Sequence, residues 1–141
     1  MPYREKIAWL MLIALPLTVI AYVALLIGMA PGPGHAPPEP ERASAFCLLV
    51  VMQLVVIGGG RFILRVTSSG DAGLPLDERD SAIARRAISA AYYVLIVGLV
   101  GVAMSSWRSS GWGMVNLLVM LVTVAELVHY GITVVSYRRQ A

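Results

Sequence analysis

The sequence predicts an all-α integral membrane protein, a four-helix bundle with both termini cytoplasmic. Three observations carry that reading. Of 141 residues, 58% are hydrophobic and 13% charged, against roughly 25% charged in an ordinary soluble domain. The mean hydropathy is +0.77, and the apolar residues gather into runs at 7–29, 43–64, 87–105 and 112–137. Each run is near the ~20 residues that cross a ~30 Å hydrocarbon core. Finally, the 11 Lys and Arg are shared unequally among the connections. Nine lie in the N-terminus (Arg4, Lys6), the second connection (Arg61, Arg65, Arg79, Arg85, Arg86) and the C-terminus (Arg138, Arg139), and only Arg42 and Arg108 lie elsewhere. The positive-inside bias then puts the nine on the cytoplasmic side. The whole of 1–141 reads as a single transmembrane domain with a cytoplasmic loop over 65–86.

The first run is longer than the 7–15 residues of a signal-peptide core, and Pro31 follows Ala30 directly, so it is expected to stay as a span. Pro16 lies well inside it and removes one backbone hydrogen bond, which predicts a kink. Trp9 sits where an interfacial aromatic belongs. The connection APGPGHAPPEPER at 30–42 holds five of the eight prolines and predicts an extended connector. Its His35 reads as solvated. The second run carries Gln53 near its centre and Gly58-Gly59-Gly60 beyond it, glycines that let a neighbouring backbone approach closely. The lone Cys47 has no partner for an internal disulfide and reads as a small apolar residue.

Charge is concentrated between Arg61 and Arg86, where five of the eleven basic and four of the eight acidic residues fall. Within it Asp77 reads as a helix N-cap, followed by Glu78, Arg79 and Asp80 in the first turn. Acids there are favoured by the helix dipole. That helix is expected to continue into the third span, whose Ala91, Gly98 and Ser105 form a line of small residues at heptad spacing suited to tight packing. A short connection with Trp107 predicts that spans three and four are antiparallel neighbours. The same geometry brings Asp77, Glu78 and Asp80 to the end where Arg61, Arg65, Arg138 and Arg139 emerge. The reading is an ion-paired latch, clamping spans two and four to the start of span three.

The fourth span is the most polar. Asn116, Thr123, Tyr130 and Tyr137 recur every seven residues and form one stripe, with Glu126 on its flank, one turn from His129 and Tyr130. Glu126 precedes Arg138 by twelve residues, about 18 Å of helix rise, so it lies near mid-membrane. A carboxylate there costs roughly 2.5–3.5 kcal/mol on insertion scales. The expectation is that it is protonated or hydrogen-bonded to His129, Tyr130 or Gln53. An interhelical hydrogen bond, a proton-coupled or ion-conducting role, or binding of a ligand or partner helix accounts for it. Glu126-x-x-His129 also matches half of a carboxylate-bridged di-metal motif. No other span holds an acid, so no metal site and no cofactor is expected, and a haem on His129 would need a second axial ligand. No phosphate-binding loop, nucleophile elbow or zinc-protease motif occurs; the chain does not read as an enzyme.

Asp77-Glu78-Arg79-Asp80, Ile83, Arg86 and Tyr92-Tyr93, then Ala125-Glu126-Leu127-Val128, Tyr130-Gly131 and Tyr137-Arg138-Arg139, carry a resemblance over 77–139. The chain resembles a family of small bacterial four-helix inner-membrane proteins of unknown function. The likeness implies a four-helix membrane protein and no activity or cofactor. Ten Arg against one Lys also points to a bacterial source, and hence to the cytoplasmic membrane.

The net charge of +3 then concerns lipid headgroups, and nucleic acid is not an expected partner. Four short spans enclose little volume, so a homo-oligomer is expected. Functionally, the sequence points first to a non-enzymatic accessory or regulatory membrane protein whose charged loop meets a protein partner. The alternative is a small proton-coupled transporter or channel subunit with Glu126 as its titrating group.

Overall fold

The computed structural model describes residues 3–32, 35–67, 78–105 and 111–139. These form four helices: α1 Tyr3–Gly28, α2 Glu39–Thr67, α3 Glu78–Ser105 and α4 Trp112–Arg139. At 26–29 residues each is about 39–44 Å long, and all four are long and apolar enough to cross a membrane. The expected N-cap Asp77, most of the loop ahead of it and the hairpin 106–110 lie outside the described residues.

Helix α2 begins four residues before the apolar run it contains. Pro40 falls in its first turn, where a missing N–H costs nothing, and the amide of Arg42 closes the turn on the Pro38 carbonyl at 3.1 Å. Helix α1 runs unbroken through Pro16. Glycine ends the α3–α4 hairpin: Gly111 has φ +59°, a left-handed conformation other residues resist, and its carbonyl accepts from Met114 and Val115.

Packing follows an order different from the chain. Helix α1 packs along α2 and α4, and α3 packs along α4, so the two middle helices of the assembly are the first and the last in sequence. Helices α2 and α3 stand on the outside. The seam of α1 explains its central place. Ala8, Met11, Leu15, Thr18 and Tyr22 are all buried and recur at intervals of three and four, one continuous face. Met11 is the largest side chain to be fully enclosed. The outer helices bury far less: on α2 only Ala45 and Leu49, which join Tyr22 in a core cluster.

Two glycines allow the closest helix approaches. A Cβ on Gly98 would overlap Leu121 of α4, and one on Gly60 would come within 2.6 Å of the Leu10 side chain of α1. Gly58 and Gly59 face open space; of the three consecutive glycines, only the last meets a neighbour. The remaining surfaces of α2 and α3 are apolar and exposed, with Leu54, Val55 and Phe62 on one and Tyr93, Val97 and Met104 on the other each more than 65% accessible. A surface of that kind is stable against hydrocarbon or another apolar face, and unfavourable against water.

Candidate functional site

Polar side chains lie between the helices at three levels. Nearest the hairpin end, the Tyr22 hydroxyl of α1 donates to Asn116 Oδ1 at 2.7 Å. The pair sits at the edge of an apolar cavity of about 770 Å³ that runs beneath the first connection to His35 and Pro37. At mid-height, Gln53 of α2 reaches Thr18 of α1, Nε2 to Oγ1, at a long 3.5 Å. The Thr18 hydroxyl in turn donates to the carbonyl of Leu15, and buried Thr123 donates to that of Val119, as hydroxyls in helices do when they lack another acceptor.

Glu126 lies just beyond. With Gln53, Arg61, Thr123 and Tyr130 it lines a pocket of about 270 Å³ between α1, α2 and α4. The Arg61 guanidinium donates to the Tyr130 hydroxyl at 3.1 Å. This bond ties α2 to α4, and it holds a cation in the same pocket as the carboxylate. Of the three residues expected to hydrogen-bond Glu126, Gln53 and Tyr130 share its pocket, but among the described residues neither bonds to its carboxylate. His129 turns away, its ring edge-on to Tyr130 with centroids 4.8 Å apart, into the next pocket.

That next pocket, about 150 Å³, lies at the end carrying both termini and is lined by Arg4, Asp80, His129, Tyr130, Thr133 and Tyr137, with small apolar neighbours. Tyr130 is the wall common to both. Here Asp80 receives the Tyr137 hydroxyl on Oδ1 at 2.7 Å and faces Arg4 Nε across 3.5 Å from Oδ2. One carboxylate thereby joins α3 to α4 and to α1.

The latch therefore assembles from partners other than those expected. Helix α2 packs on α1, with α3 on the far side of α4, and among the described residues neither Arg61 nor Arg65 pairs with Asp80. Arg61 goes to Tyr130 instead, while Arg65 is exposed. Arg138 lies over the Trp9 ring of α1 at 5.2 Å, a cation–π contact, and Arg139 points into a groove beside Arg86. Glu78 and Arg79 are exposed in the first turn of α3; Asp77 is outside the described residues. Sequence reasoning missed Arg4, Thr18 and Tyr22. All three lie on the α1 line 4-8-11-15-18-22, and that spacing was the signal available. Among the described residues, no three His, Cys, Asp or Glu side chains converge as metal ligands would.

No family model, curated protein or solved structure matches the chain.

The Tyr22–Asn116 bond gives a first quantitative expectation. Side-chain hydrogen bonds between helices in a membrane average about 0.6 kcal/mol and reach about 1.7. A double-mutant cycle of Tyr22→Phe and Asn116→Leu, read by unfolding in detergent, is expected to show a coupling of about 1 kcal/mol. Strict additivity would mean that the pair contributes no coupling.

Proposed function

We propose that this chain is a non-enzymatic accessory or regulatory protein of a bacterial cytoplasmic membrane. Its four helices span the bilayer with both termini cytoplasmic, and the charged connection 65–86 meets a protein partner. The observation that carries the reading is how the polar side chains between the helices are used. Tyr22 with Asn116, Gln53 with Thr18, Arg61 with Tyr130 and Tyr137 with Asp80 each join two different helices. Hydrogen bonds of this kind set which helix lies beside which. They hold one arrangement, and the exposed apolar sides of α2 and α3 are left for lipid and for a second copy of the chain.

A photo-crosslinking residue at Arg65 or Arg85, both exposed at the termini end, tests this in intact cells. The expected result is a discrete adduct with another polypeptide. No adduct, or only one the size of two copies of this chain, overturns the accessory reading. In a Cys47→Ser background, Arg65→Cys is expected to react with an impermeant maleimide only after the membrane is opened. His35→Cys is expected to react from outside; the reverse pattern overturns the topology.

One observation favours a second reading, a proton-coupled transporter or channel subunit. Among the described residues Glu126 makes no side-chain hydrogen bond of its own, and Tyr130 lines both its pocket and the polar pocket nearer the termini. This reading requires a proton flux that depends on Glu126.

A further inference from the structure

The packing of α3 on α4 leaves a groove on the face away from Asp80. At the termini end it is a pocket of about 370 Å³ lined by Arg86 of α3 and by Gly131, Ile132, Val135, Ser136 and Arg139 of α4. The two guanidiniums come from different helices, with the Ser136 hydroxyl and two aliphatic side chains beside them. Among the described residues neither Arg86 nor Arg139 is paired with a carboxylate. Two unpaired arginines facing one pocket repel each other unless an anion lies between them, and the planar fork of arginine suits a phosphate.

Farther along the same two helices lies a second hollow, about 540 Å³ and almost wholly apolar, lined by Tyr93, Val97, Met120, Leu121 and Val124 among others. The two lie on one face. Tyr93 and Val97 stand seven and eleven residues after Arg86, and Ile132 and Val135 stand eleven residues after Leu121 and Val124. Seven and eleven residues are close to two and three turns of an α-helix, so these side chains align. Eleven residues rise about 16 Å, close to the depth of one leaflet of a ~30 Å core. Tyr93, Val97, Met120 and Val124 are each about half exposed or more, so the hollow opens sideways along its length. The closest helix contact, Leu121 against Gly98, forms its floor.

We propose that this groove is a binding site for an anionic glycerophospholipid. The phosphate lies between Arg86 and Arg139, with Ser136 donating to it, and one acyl chain lies along Tyr93, Val97 and Val124. Basic pockets between membrane helices recognise anionic headgroups in this way. The site rests on the four helices being membrane spans, which the maleimide experiment tests independently.

The test is native mass spectrometry of the purified full chain with equal amounts of phosphatidylglycerol and phosphatidylcholine of matched acyl chains. The wild type is expected to retain phosphatidylglycerol about tenfold over phosphatidylcholine. Arg86→Gln with Arg139→Gln is expected to abolish that preference and leave retention of phosphatidylcholine unchanged. Arg65→Gln with Arg85→Gln removes the same charge from the same end and is expected to keep the preference. Val97→Trp, filling the groove, is expected to weaken retention of the lipid while the arginines remain. Equal retention of both lipids by the wild type, or equal loss in both double variants, overturns a built site. Displacement of phosphatidylglycerol by millimolar inorganic phosphate would assign the arginines to a free anion and overturn the lipid.

Discussion

Replacing Asp80 by alanine is expected to destabilise the fold by about 2 kcal/mol, the largest effect of any single polar substitution. Its carboxylate accepts the Tyr137 hydroxyl at 2.7 Å and faces Arg4 at 3.5 Å. A hydrogen bond to a charged group contributes roughly 1.5–3 kcal/mol. The ion pair adds little, because the Arg4 and Asp80 side chains are 35% and 25% exposed and water screens pairs of that kind to about 0–1 kcal/mol. Tyr137→Phe should therefore reproduce most of the loss, about 1.5 kcal/mol, and Arg4→Gln much less. Unfolding of the three variants in mixed detergent micelles checks the ranking. A larger loss in Arg4→Gln than in Tyr137→Phe would mean that the ion pair, and not the hydroxyl, holds α3.

The second large effect is expected at Gly98. Leucine there should cost about 1–3 kcal/mol, the range found for overpacking, because its Cβ would overlap Leu121 Cδ1 and lie 3.2 Å from Cγ. Leu121 can rotate, but only by opening the α3–α4 seam. Gly101, one turn on, has nothing within 4 Å of the place a Cβ would occupy, and Gly101→Leu should be close to neutral in the same assay. Both glycines have the same intrinsic helix propensity, so the difference isolates packing. Equal effects at the two positions would remove the close contact as the reason α3 lies where it does. Together Asp80 and Gly98 describe how this outer helix is held, by a polar tie at one end and a steric fit at mid-height.

These two attachments show where the sequence was informative. The four helices were legible from hydropathy, because a run of twenty apolar residues has few other stable uses. The stripe on α4 was legible too, since 116, 123, 130 and 137 must share a face whatever they touch. The partners across the interfaces were not legible. Several cations emerge at the same end as Asp80, and charge alone does not distinguish Arg4 from Arg61. The choice depends on helix order, to which close contacts such as Gly60 against Leu10 and Gly98 against Leu121 contribute alongside the interhelical hydrogen bonds. A small residue can be seen in a sequence; the neighbour that fills its space cannot. Glu126 falls between these cases. Tyr130, one turn away, follows from spacing and Gln53 only from its central place in the second span; neither hydrogen-bonds Glu126, and Arg61, expected in the latch, reaches Tyr130.

Proton flux separates the two functional readings most directly. Purified protein in liposomes loaded with a pH-sensitive dye, placed under an imposed membrane potential, should acidify no faster than protein-free liposomes. Glu126→Gln should leave the rate unchanged, as expected if the polar groups around Glu126 only join helices. A flux above that background which Glu126→Gln abolishes would contradict the accessory role and establish Glu126 as a proton-carrying group.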